Sequence, residues 1–212
     1  MNSFRTFVSQ NELISQAEDV AHRLITKKHS SEYTYHNLDH TLRVSKKAFE
    51  LGARQNLSVP ELHDLIIAAL FHDTGYYDSV NDHERIGAAY ATDFLQTNTA
   101  STACIERVND LILSTKITTP PETLLQETLC DADLNYLGAT EFFSLVERLR
   151  SEWLLTGRKN FTEKAWIQQN IDFFELHTFY TSAAQQLFGH VKEENLNQMR
   201  KDLRALSISS RL

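Results

Sequence analysis

"ELHDLIIAALFHDTGYY", residues 61–77, carries the dipeptide His-Asp twice, at His63-Asp64 and at His72-Asp73. With nine histidines in 212 residues, one such pair is a weak motif, and its setting has to decide its meaning. Between the two pairs runs Leu65-Ile66-Ile67-Ala68-Ala69-Leu70-Phe71, apolar on every side if helical and therefore buried. Nine residues at about 100° each set the pairs roughly half a turn apart, on opposite faces. At most one pair can face a given site. Asp64 falls in the first turn after Pro60, beside Glu61, where a carboxylate compensates free backbone amides and the helix dipole. His72 and Asp73 instead end the buried run, where polar groups need hydrogen bonds or a metal. That makes His72-Asp73 the pair whose partners must be found elsewhere in the chain.

The surrounding chain reads as helical. Glycine and proline are scarce, at six and three, and apolar residues recur at three- and four-residue spacing over most of the length. Helices are expected near 4–29, 40–55, 60–73, 82–97, 102–117, 121–136, 139–155, 160–176 and 178–206. The clearest breaks are Thr118-Thr119-Pro120-Pro121 and Thr156-Gly157-Arg158, both too short for a flexible linker. The expected architecture is all-α, one domain over 1–212 with a helical extension over about 156–212. A 42% hydrophobic chain of this length can bury a substantial core.

Charge and composition exclude several classes. A net charge of -7 without a long basic run argues against a nucleic-acid partner. The longest apolar run is far too short to cross a bilayer, and the first residues lack the apolar core of a leader, so a cytoplasmic protein without a membrane partner is expected. Two cysteines, Cys104 and Cys130, make neither a disulfide framework nor a thiolate zinc site, and both are read as small buried residues.

Partners for His72 and Asp73 lie on both sides. Upstream, "YTYHNLDHTLRV" places His36 and His40 four residues apart at the edge of a helix, with Asn37 and Asp39 as capping candidates. Two surface histidines in a polar turn are the plainer reading of this stretch alone. Downstream, in "LLQETLCDADLNYLG", Leu125, Leu129 and Asp133 share one helical stripe. Asp133 is then the inward carboxylate, with Asp131 supporting from the side.

The ordered set His40, His72-Asp73, Asp133 resembles the H...HD...D signature of the HD superfamily of metal-dependent phosphohydrolases. "YHNLDH" is similar to the Y-H-N-x-x-H element of its cyclic nucleotide phosphodiesterase branch. "FHDTGYYDSVNDHERIGAAYA" resembles the segment after the His-Asp pair in bacterial members, and "CDADLNYLG" resembles the family's D-A-D and A-D-L elements. The resemblance covers about residues 30–140, and a bacterial subgroup of predicted HD phosphohydrolases is the nearest likeness. It implies an HD-type helical bundle whose metal ligands are His40, His72, Asp73 and Asp133.

Two imidazoles and two carboxylates suit Mn²⁺, Fe²⁺, Co²⁺, Ni²⁺ or Zn²⁺, with Mg²⁺ a further candidate, and choose poorly among them by affinity. Such an ion polarises a phosphoryl oxygen and lowers the pKa of bound water. The resemblance places His36 beside the scissile ester as proton donor, a hydrogen bond to a ligand being its other role. His36, Asp73 and Lys116 are the candidate catalytic groups. Lys116, Arg43 and Arg85 are candidates for binding substrate phosphate, although Lys116 also fits an ordinary lysine at a helix C-terminus. His83, Glu84 and Asp131 would support the ligands or help hold a second ion. Two-metal branches place histidine on the following helices, whereas "VNDLILSTKI" has Asn109, Asp110 and Lys116, so one divalent ion per chain is expected. The aromatic clusters of the C-terminal third, His177 and His190 are assigned to structure, and whether that region covers the pocket or makes a homodimer contact stays open. The expected substrate is a small phosphoester, a nucleotide or related compound. The alternatives are an HD-fold di-iron oxygenase and a non-catalytic nucleotide-binding module.

Overall fold

A computed structural model describes residues 3–28 and 31–209. Among these the chain forms α1 (Phe4–Ser9), α2 (Glu12–Lys28), α3 (Leu38–Arg54), α4 (Val59–Phe71), α5 (His83–Thr97), α6 (Thr102–Ser114) and α7 (Leu124–Asp133). A 3-10 turn over Leu134–Gly138 follows, then α8 (Phe142–Leu155), α9 (Glu163–Leu176) and α10 (Ser182–Ser209). No strand occurs among the described residues, so the all-α class holds. No helix there is long and apolar enough to cross a membrane.

The chain divides into two compact units, Met1–Ser30 with His36–Asp133, and Ser31–Tyr35 with Leu134–Leu212. In the first, α4 is the central element, packed against α2, α3, α5, α6 and α7. Its run Leu65 to Phe71 is essentially inaccessible to solvent, as an all-round apolar helix requires. Each such residue contributes roughly 1.5–3 kcal/mol through burial. At its C-terminal end α5 comes very close. A Cβ on Gly87 would stand 2.5 Å from the Phe71 carbonyl oxygen, so only glycine permits the approach.

The start of α4 corrects one expectation. Glu61, not Asp64, serves the helix terminus, accepting the Ser58 backbone N–H at 2.8 Å and its hydroxyl at 2.6 Å. Asp64 is buried instead and faces α6, where it accepts from Arg107 Nε at 2.6 Å and from the Cys104 thiol at 3.1 Å. A helix-start rule reads neighbours along the chain, and Arg107 is a neighbour only in space. Cys104 is accordingly part-exposed and hydrogen-bonded, while Cys130 is buried as expected.

Two helices expected as continuous are interrupted. The segment 4–29 breaks after Ser9, where the Asn11 side-chain amide takes the Phe7 carbonyl and so competes with the next helical turn. Its expected end at residue 29 lies outside the described residues. The segment 121–136 begins only at Leu124, because Thr123 and Gln126 cap each other's backbone amides just after Pro120-Pro121. It tightens into the 3-10 turn immediately after Asp133. In the second unit the 3-10 turn packs on α10, and Asn195 donates to the carbonyls of Leu137 and Ala139. Glu152, completely buried in α8, receives the Tyr35 backbone N–H at 2.8 Å.

Candidate metal centre

Three helix ends of the first unit converge on one point. Asn37 caps α3, its Oδ1 accepting the His40 N–H at 3.2 Å, which sets His40 in the first turn and leaves His36 just before the helix. His72 closes α4, its own N–H still bonded to the Ala68 carbonyl, and Asp73 follows in the turn. Asp133 is the last residue of α7. Side chains at helix ends can turn toward a common centre that a straight helix face would not reach.

One oxygen of Asp73 and one of Asp133 each stand against both histidine nitrogens. His40 Nε2 is 3.2 Å from His72 Nε2, 3.1 Å from Asp73 Oδ2 and 3.2 Å from Asp133 Oδ1. His72 Nε2 is 3.2 Å from the same Asp73 oxygen and 3.4 Å from the same Asp133 oxygen. Atoms placed around one ion at about 2.0–2.2 Å are spaced like this. His40, His72 and Asp133 together form a group able to hold a metal ion, and Asp73 shares the same small volume. His72 Nδ1 lies 2.8 Å from the Ala69 carbonyl, to which it donates as a ligating histidine does, leaving the Nε2 lone pair toward the centre. The residues present fit a divalent cation.

The electrostatics agree. Burial alone would raise the pKa of Asp73, but the His72 and His40 imidazoles, with help from His36, hold it well below the usual carboxylate range. Burial opposes the charge of Asp133 too, and hydrogen bonds from His40 and His72 depress its pKa strongly. For His72, burial favours the neutral ring, but Asp73 and Asp133 outweigh it and raise the pKa well above the imidazole norm. Two carboxylates held toward their charged form therefore face the buried His72 ring, whose charged form they favour, and a bound metal ion would take that proton's place.

Around this core the other candidates are distributed unevenly. Asp73 turns its second oxygen, Oδ1, toward His83 Nε2 at 3.5 Å, and His83 Nε2 is also 3.5 Å from Glu84 Oε1. His83 Nδ1 is 2.8 Å from the Val80 carbonyl, to which it donates, so its Nε2 meets two carboxylates. Half-buried His36 stacks on Tyr76 with ring centroids 3.8 Å apart and meets His40 edge-on at 5.8 Å. Arg43 reaches His40 Nδ1 at 2.9 Å. Arg85 is tied to Asp82 through Nε at 2.8 Å, and exposed Lys116 acts electrostatically on that same Asp82, so neither is drawn to the four donors. Asp131 is completely buried in α7, two residues before Asp133. Sequence reasoning missed Tyr76 and Tyr77, whose hydroxyl donates to the His36 carbonyl. The quoted stretch contains both tyrosines, but nothing local says that they turn back onto His36.

A helical bundle with two imidazoles and two carboxylates gathered at three helix ends belongs to the class of metal-site helical domains. The HD domain family matches residues 37–134. A crystal structure of a predicted HD superfamily hydrolase from an uncultured Thermotogales bacterium is similar over 99% of this chain and 99% of that one, with a TM-score of 0.63 and 19% identity. At that identity the likeness establishes a shared fold, which extends past the HD segment into the second unit. No curated protein matches the sequence.

Proposed function

We propose that the chain is a metal-dependent hydrolase of small phosphoesters, a nucleotide or a related compound, with one divalent ion per chain held by His40, His72, Asp73 and Asp133. The observation that carries this reading is a pair of histidine nitrogens 3.2 Å apart with one oxygen of Asp73 and one of Asp133 each within 3.1–3.4 Å of both. The match to the HD domain and the similarity to a protein described as a predicted hydrolase support it. When bound, such an ion polarises a phosphoryl oxygen and makes water a better nucleophile near neutral pH.

The chain's own residues do the rest. His36, fixed by its stack on Tyr76, gives a proton to the leaving oxygen. Asp73, through the Oδ1 that faces His83, accepts a hydrogen bond from the attacking water and orients it. Arg43, Arg85 and Lys116 supply positive charge for the substrate phosphate, Arg85 after exchanging Asp82 for it. With a net charge of -7, the protein suits a small substrate better than a nucleic-acid polymer. The test is Mn²⁺-supported product release from nucleoside mono-, di- and triphosphates, cyclic nucleotides and sugar phosphates, with Asp73→Ala alongside. Turnover that is lost in the variant is expected. No turnover from any phosphoester with any of the candidate metals would overturn the proposal.

One observation favours a second reading. His83 Nε2 lies 3.5 Å from both Asp73 Oδ1 and Glu84 Oε1, a set of donors that a second ion would suit. A second ion there would suit the oxygenase alternative. Two irons per purified chain with substrate-dependent oxygen uptake would decide for it.

A further inference from the structure

Tyr76 joins the two histidines that flank the metal donors without belonging to them. Its ring is buried at 3% exposure, lies nearly parallel to His36 at 16° and 3.8 Å, and meets His83 edge-on at 64° and 5.2 Å. The adjoining residues tighten the same clasp. Tyr77 donates its hydroxyl to the His36 carbonyl. A Cβ on Gly75 would stand 2.4 Å from the His83 carbonyl oxygen, so this turn presses directly on the backbone of His83. The segment Gly75–Tyr77 therefore holds His36 by ring and backbone on one side and His83 on the other.

We infer that Tyr76 is a positioning residue: its ring sets the separation and tilt of His36 and His83 about the donor cluster, and so the alignment of the proton donor with the leaving oxygen. The ring faces and edge do this work, since the contacts with His36 and His83 are ring contacts. Misplacing a proton donor by about an ångström costs roughly 10- to 100-fold in rate while leaving ground-state binding intact. The rate consequence rests on the phosphohydrolase reading, whereas the placement of His36 does not.

The experiment compares wild type, Tyr76→Phe and Tyr76→Leu as folded, metal-loaded proteins. In ¹H–¹³C spectra, ring protons of His36, assigned with His36→Gln, should show the upfield displacement that a stacked aromatic imposes. Tyr76→Phe should keep that displacement and Tyr76→Leu should lose it, with metal stoichiometry unchanged in both. On a substrate found in the panel, Tyr76→Leu should lower kcat by roughly 10- to 100-fold with KM little changed, and Tyr76→Phe should match wild type. A His36 signal that is the same in Tyr76→Leu as in wild type overturns the inference. So does loss of metal in Tyr76→Leu, since the tyrosine would then support the ligands, and so does a fall in kcat as large in Tyr76→Phe. If no phosphoester is turned over, the phosphohydrolase reading fails while the spectra still decide the placement of His36.

Discussion

Arg43 places Nη2 2.9 Å from Nδ1 of His40, the ring nitrogen opposite the one that faces Asp73 and Asp133. A guanidinium only donates, so Nδ1 accepts. A histidine bound to metal through Nε2 ordinarily donates from Nδ1, as His72 does to Ala69. Arg43 thus opposes the form of His40 that a metal needs, and adds positive charge close to where the ion would sit. Arg43→Met is expected to bind Mn²⁺ more tightly, by roughly 3- to 10-fold, in a calorimetric titration. Equal or weaker affinity would show that Arg43 supports the ligand instead.

The two His-Asp pairs predict opposite behaviour. Asp73→Ala removes a donor shared with both imidazoles and should abolish metal binding while the protein stays folded. Asp64→Ala should leave metal and activity intact but lower the free energy of unfolding. Its partner Arg107 is half exposed and can recover water, which limits the cost to about 1–3 kcal/mol, below that of a fully buried pair. Urea denaturation and metal analysis of both variants separate the two roles.

His177 carries a pH dependence in the second unit. Burial, with the Lys192 charge added, pushes its pKa from 6.5 to about 4, and neither buried ring nitrogen has a hydrogen-bond partner among the described residues. Between about pH 6.5 and 4 the unfolded chain binds a proton that the folded one refuses. The contribution of His177 is therefore at its best above pH 6.5 and declines as pH falls toward 4. Phe173 and Phe179 already surround the ring, so His177→Phe should be tolerated and should gain on wild type as pH drops through this window. Thermal melts of the two proteins across that range check it, and a constant difference would refute it.

Both thiols should be sluggish. Burial raises Cys130 to about 12, and burial together with the Asp64 carboxylate raises Cys104 to about 11, so little thiolate exists at neutral pH. A disulfide reagent at pH 8 should label the native protein far more slowly than the urea-unfolded chain. Fast labelling of Cys104 would mean that its contact with Asp64 opens readily.

The helix α4 was legible in the sequence because it depends on near neighbours, an all-round apolar run closed by His72-Asp73, whereas the full donor set came from the resemblance to the HD superfamily. The stripe with Leu129 pointed to Asp133, which does reach His40 and His72, although Asp131 is the more deeply buried of the two. The positions that escaped depend on partners distant in the chain. Asp64 reads as a helix-start carboxylate from its chain neighbours, whereas its partner is Arg107 on α6, and nothing near Tyr76 in the chain marks its stack on His36. The breaks at Asn11 and after Asp133 escaped for another reason. In each, a small local competition ends a pattern whose apolar spacing would otherwise continue.

The convergence of three helix ends has a consequence for the life of the protein. His40, His72 and Asp133 are far apart in the chain, so a cation gripping them would tie long loops together as a covalent cross-link does. Whatever binds the folded arrangement alone adds to its stability in proportion to the logarithm of its concentration. The first unit would then work as a gauge of its surroundings, persisting where the ion is plentiful and, where the ion has been sequestered, coming undone sooner and passing to the proteases.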